Sequence, residues 1–224
     1  MSSIDLVVRY LTERARPAVL LSLAALLAFT AWAVTASPFW SIASFLSATA
    51  NAFLLILAFR VWDDLEDRER DAREHSHRVM VTDGRTRPFV ILALVLGLAG
   101  AAVIVFGANG LARLSFVVIA VVILAAWYRL RSPHRASVLS GHVVLIKYPA
   151  IALALAPTLP TSGAPLWRAV AIVAAVYLSI CVYESFDDPG LRGSRAARRV
   201  AVAELVVIVP LVVSAFTSFG AGAR

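Results

Sequence analysis

Cysteine is nearly absent: Cys181 is the single one in 224 residues. A lone thiol inside an apolar run leaves neither a disulfide framework nor a zinc site. Charge is sparse, at 16% of residues against 60% apolar, and the mean hydropathy is +0.82. That balance excludes a water-soluble domain of this length. Apolar–polar alternation is also missing, which excludes a membrane β-barrel and leaves helices to cross the lipid. Three connections, 36–37, 108–110 and 158–164, contain no Lys or Arg.

What is present is a set of apolar runs of membrane length. Seven are expected to span: 17–35, 38–62, 88–107, 111–128, 137–157, 165–186 and 200–219. The fold class is therefore all-α, a polytopic transmembrane bundle of about seven helices in one domain, 1–224. Caps are expected near 63–87, 129–136 and 187–199, which together with Arg60 hold 14 of the 21 Lys and Arg, with three more at Arg9, Arg14 and Arg16. The positive-inside rule places the N-terminus and these caps in the cytoplasm and the C-terminus outside. The net charge of +7 records that bias, so it is no argument for nucleic acid. The first apolar run is long for a signal-peptide core and further spans follow it, so no cleaved leader is expected.

The acids are few and unevenly placed. Of 14 Asp and Glu, eight lie between Asp63 and Asp83, and three more are Glu184, Asp187 and Asp188. Both groups sit at the predicted cytoplasmic ends of apolar segments. Val61-Trp62-Asp63-x-x-x-Asp67 aligns with Val182-Tyr183-Glu184-x-x-x-Asp188, a short hint of an internal repeat. On a helix continuing out of the second span, Asp64, Asp67 and Asp71 share one face, and Asp63 drifts only slowly from it. Carboxylates this close repel unless a cation sits among them. Mg²⁺ suits such a set, because it takes a few carboxylates together with substrate phosphates. A solvated mixed-charge helix is the plain alternative. Against it, the sequence near Asp63 and Asp64 offers only Arg60, and no Lys or Arg follows Glu184 until Arg192. Acids at a helix C-terminus also oppose the helix dipole.

Asp63-Asp64-x-x-Asp67-x-x-x-Asp71 resembles the first motif of the UbiA superfamily of membrane prenyltransferases, and Glu184-x-x-x-Asp188 resembles the second. Both occupy the family's places, at the cytoplasmic ends of the second and sixth helices. Asp63 stands for the family's Asn and Glu184 for its Asp, and seven helices fit where the family usually has nine. The resemblance implies a UbiA-like fold in a bacterial cell membrane. It also implies Mg²⁺ and an isoprenyl diphosphate donor held by Asp63, Asp64, Asp67, Asp71, Glu184, Asp187 and Asp188. The prenyl group would pass to an aromatic or lipid acceptor. A terpene cyclase of the same family is the alternative, since Asp63-Asp64-x-x-Asp67 also resembles the aspartate-rich motif of soluble terpene synthases. A non-catalytic relative or a transporter is the third reading.

Other polar residues in the spans each have two readings. Lys147 is either a diphosphate counter-ion or a buried partner of Glu204. Arg78 and Arg131 are diphosphate clamps or topogenic charges. Asn51 lines a prenyl tunnel or makes an interhelical hydrogen bond. Tyr128, Tyr148 and Tyr183 offer faces to an allylic cation or belong to the interfacial aromatic belt. His142 and Glu204 carry no single reading.

Overall fold

The computed structural model describes residues 2–14, 16–35, 41–131, 138–187, 191 and 194–221, the last six as backbone alone. No strand occurs among them. The helices are α1 (Ser3–Arg14), α2 (Pro17–Val34), α3 (Ile42–Glu66), α4 (Arg68–Glu74), α5 (Val79–Thr82) and α6 (Arg87–Val105), followed by α7 (Gly110–Leu130), α8 (Val138–Leu145), α9 (Lys147–Leu155), α10 (Gly163–Asp187) and α11 (Arg195–Ala221). Six segments are long and apolar enough to cross a membrane: α2, α3, α6, α7, the α8–α9 pair and α10. The seventh expected span forms as a helix, α11, but lies outside this set. Its described part begins with Arg195, Arg198 and Arg199 and carries Glu204.

Proline and serine set several helix boundaries. Pro17 and Pro88 occupy the first turns of α2 and α6, where a missing N–H costs nothing. Ser41 caps α3, its hydroxyl accepting from the Ser44 N–H at 3.1 Å. Between α6 and α7 the chain reverses tightly, with Asn109 left-handed at φ 54°. A Cβ on Gly110 would lie 2.1 Å from the Val105 carbonyl oxygen, so this turn requires glycine. The fifth span is broken at Ile146. Pro149 has no N–H to offer the Leu145 carbonyl four residues back, and the helix restarts at Lys147.

The short helix α9 is the centre of the bundle, touching α2, α3, α7 and α10. Ile151, Ala152, Ala154 and Leu155 are all buried there, packed with Leu27 and Ala31 of α2 and Leu55 and Ile56 of α3. α3 and α6 approach closely over Gly100, where a Cβ would meet Leu55 Cδ2 at 2.6 Å. A second, smaller core covers the acid-bearing end, where Leu6 and Tyr10 of α1 pack on Val61, Val79, Met80 and Phe89. The outer faces of α6 and α7, including Leu94, Leu98, Val118 and Val122, are exposed and apolar, as lipid contact requires.

At the opposite end, Arg113 donates to the carbonyls of Ala154 at 2.8 Å and Leu155 at 3.2 Å, capping α9. Arg168 likewise donates to the Ala33 carbonyl of α2 at 3.0 Å. Both guanidiniums therefore serve helix C-termini, where positive charge is favoured.

Candidate functional site

α3 brings Asp63 and Asp64 to its C-terminal turn with both side chains buried. The helix then breaks at Asp67 (φ −89°, ψ 1°) and resumes as α4, the Asp71 N–H still donating to the Asp67 carbonyl at 2.8 Å. The expected continuation beyond the second span is thus real, with a kink at one of its acids.

Each acid of this motif faces a cation from a different stretch of chain. The Asp63 carboxylate accepts from Lys147 Nζ on one oxygen and from the Tyr128 hydroxyl on the other. Asp64 receives a two-pronged contact from Arg14, at 3.0 Å from Nε and 2.6 Å from Nη2, plus the Tyr10 hydroxyl at 2.7 Å. Arg60 stands 3.7 Å from the same carboxylate. Asp67 accepts from Arg131 Nη2 at 2.5 Å, and Asp71 from Arg78 Nη1. The expectation that Asp63 and Asp64 have only Arg60 nearby is corrected: their partners lie 50 to 84 positions away, beyond what local sequence displays.

Lys147, the chain's one lysine, is 3% exposed. It pairs with Asp63 and not with Glu204, which instead meets His142. A buried ammonium needs such a partner. The break at Ile146 places Lys147 at the head of α9, level with the end of α3.

Aromatic rings surround this pair. Trp62 packs edge-on against Tyr128 at 5.5 Å and lies near-parallel to Phe59 at 6.1 Å. Arg131 sits 4.4 Å over the Tyr128 ring and Lys147 5.5 Å from that of Tyr148. Outside the spans, burial pushes the half-buried Asp67 carboxyl above its ordinary value, Arg131 opposes, and the Asp63 charge adds to the rise. Burial and the Asp64 charge likewise push the Tyr10 phenol well up.

The second acid group is less closely drawn in. Glu184 is half-buried near the end of α10, and its charge and that of Asp63 both reach the Tyr148 phenol. Asp187 is exposed at the helix end, and Asp188 lies outside the described residues. Tyr183 is 59% exposed, so its ring is turned outward and not toward a cation held within the bundle. α10 buries Cys181 and Ser185, and two residues from Cys181 is about 200° around a helix. Asn51 is buried in α3, its Oδ1 without a hydrogen-bond partner, so no interhelical hydrogen bond satisfies that oxygen.

The sequence reading missed two things here. Tyr10 and Arg14 of the N-terminal helix belong to the Asp64 site, and the apolar spacing of Leu6 and Tyr10 was the available signal. Three further ligand-type side chains, His142, Cys181 and Glu204, also converge, with their ligand atoms all within 4.8 Å of one another. Among the described residues, no other group of three or more His, Cys, Asp or Glu side chains gathers closely enough to hold a metal ion. Compared with known proteins, the chain matches no family model, no curated protein and no solved structure.

Proposed function

We propose that this chain is an integral-membrane, Mg²⁺-dependent enzyme that ionises an isoprenyl diphosphate and transfers the prenyl group to an aromatic or lipid acceptor. The observation that carries this reading is the facing row of four carboxylates and four cations at one end of the bundle: Asp63–Lys147, Asp64–Arg14, Asp67–Arg131 and Asp71–Arg78. Such pairs can exchange ion for ion with a metal and a diphosphate. The carboxylate oxygens suit Mg²⁺, and guanidinium and ammonium groups suit diphosphate oxygens.

On this reading Asp63, Asp67 and Asp71 leave their present ion pairs and draw together to hold the metal, with Glu184 and Asp188 from the second group and Asp64 and Asp187 in support. Bound Mg²⁺ supplies positive charge to the departing diphosphate. Lys147, Arg131 and Arg78 hold and orient the diphosphate, their charges already in place before the bond breaks. The Tyr128 and Tyr148 rings turn their electron-rich faces to the allylic cation. The apolar bundle keeps water away from it. The acidic end and N-terminus are cytoplasmic and, with α11 as a seventh span, the C-terminus lies outside a bacterial cell membrane.

One observation favours cyclisation over transfer. Phe59, Trp62 and Tyr128 form a continuous aromatic wall beside Asp63, suited to a cation that travels along a folded chain. The deciding experiment incubates purified protein with Mg²⁺ and isoprenyl diphosphates of several lengths, with and without aromatic acceptors. Diphosphate release only with acceptor, and prenylated product, is the expected result. Cyclic hydrocarbon without acceptor assigns the chain as a cyclase. No diphosphate release from any donor makes the ion pairs permanent structural links and ends the enzymatic reading.

A further inference from the structure

We infer that His142, Cys181 and Glu204 form a second metal site, for a divalent transition metal of the zinc class. It is built from α8, α10 and α11 and uses none of the residues assigned to the diphosphate. This runs against the expectation that a lone cysteine leaves no zinc site. The sequence spreads these three ligands over 62 positions, and only the packing of α10 against α8 and α11 gathers them.

Three features of the cluster call for a cation. The first is the imidazole. His142 Nδ1 lies 2.7 Å from the Val138 carbonyl oxygen, which can only accept, so Nδ1 carries the proton. With that one proton on the ring, Nε2 presents a bare lone pair to Glu204 Oε1, its close neighbour. Two acceptors in contact require a proton or a metal ion between them. A metal-bound histidine commonly has this second-shell arrangement, its far N–H donated to a backbone carbonyl.

The second feature is Glu204 itself. It is 6% exposed, and its Oε2 has no hydrogen-bond partner. A buried carboxylate oxygen left unpaired among apolar helices is costly, and a coordinated ion removes that cost. The third is the sulfur. Cys181 is 1% exposed and shares the cluster, with the Tyr177 phenol within hydrogen-bonding reach. Tyr177 also donates to the His142 carbonyl at 2.8 Å, tying α10 to α8 at this level.

The charges close as well. A thiolate, a carboxylate and a neutral imidazole around a divalent ion sum to zero, the state best tolerated inside a membrane. Nitrogen, sulfur and one oxygen favour zinc-class ions over Mg²⁺ or Ca²⁺. Ligand atoms around tetrahedral zinc stand about 3.3–3.6 Å apart, so His142 and Glu204 part slightly and Cys181 closes in as the ion enters. Three protein ligands leave a fourth position for water or an exogenous group. Cys181 lies six residues before the end of α10, about 9 Å along the axis, so the site is a short way in from the acid-bearing end.

The test uses the full chain in detergent, stripped with chelator and titrated with Co²⁺. The expected result is saturation at one equivalent with a near-ultraviolet thiolate-to-cobalt charge-transfer band, displaced by Zn²⁺. Cys181→Ser should lose that band, and Glu204→Gln should weaken cobalt binding by roughly 10-fold or more. Asp67→Asn should keep both, which separates this site from the diphosphate reading. A wild-type protein that shows no charge-transfer band overturns the proposal, as does a band that survives Cys181→Ser. The wild-type titration decides even where a variant fails to fold.

Discussion

Among the described residues, Asp63 and Lys147 form an ion pair with each other, and the Tyr128 hydroxyl adds a hydrogen bond to Asp63. Removing one partner of a buried pair costs about 3–5 kcal/mol, most of it from the charge left behind. Lys147→Met should therefore lower thermal stability in detergent sharply. The double variant Asp63→Leu/Lys147→Met should regain most of it while releasing no diphosphate. Recovered stability with retained turnover would remove this pair from the active site. Tyr10 offers a titration. Its phenol is held neutral in the folded protein by burial and by Asp64, whereas an unfolded tyrosine ionises near pH 10. Its contribution is complete below about pH 10 and falls as the pH rises further, because only the unfolded chain then sheds the proton. Wild-type melting temperature should drop more steeply than that of Tyr10→Phe between about pH 9.5 and 11. Parallel curves would show that the hydroxyl is indifferent to its setting.

Among the helices, those set by length and hydropathy were legible. Six of seven expected runs correspond to spans that meet the length and hydropathy requirement. The faces of those helices were not legible, since a span that meets lipid on one side and protein on the other is apolar all round. Val61-Trp62-Asp63 and Val182-Tyr183-Glu184 show the consequence. The letters align, yet Trp62 packs on Tyr128 while Tyr183 points outward. The first acid motif could be read from spacing because all its members lie on one stretch of chain. Its cations could not, because Arg14, Arg131 and Lys147 reach it through tertiary packing. Two element-level substitutions test this account. Gly100→Val should separate α3 from α6 and cost about 1–3 kcal/mol through overpacking against Leu55. Pro149→Ala gives the Leu145 carbonyl a donor and lets α8 run straight into α9. That swings Lys147 away from Asp63, so diphosphate release should fall while the protein remains folded, and unchanged release would detach the kink from the site.

For the whole molecule, orientation is the testable property. The single native thiol is buried, so an engineered cysteine labels against a clean background. Ser2→Cys should react with a membrane-impermeant maleimide only in inverted vesicles, and Thr158→Cys only in intact cells or spheroplasts. The reverse pattern would turn the acid-bearing end outward and take it away from any cytoplasmic donor. The Asp63–Lys147 link also bears on how the chain is made. When the second span leaves the ribosome, Arg14 is already present for Asp64, but Lys147 lies 84 positions downstream of Asp63. At about 5–20 residues per second, that interval lasts roughly 4–17 s. Throughout it the carboxylate must stay at the headgroup level, and the second helix cannot settle to its final depth. Nascent chains stopped before the fifth span should therefore be the ones that quality-control proteases remove, and arrival of Lys147 is the event that seats the bundle.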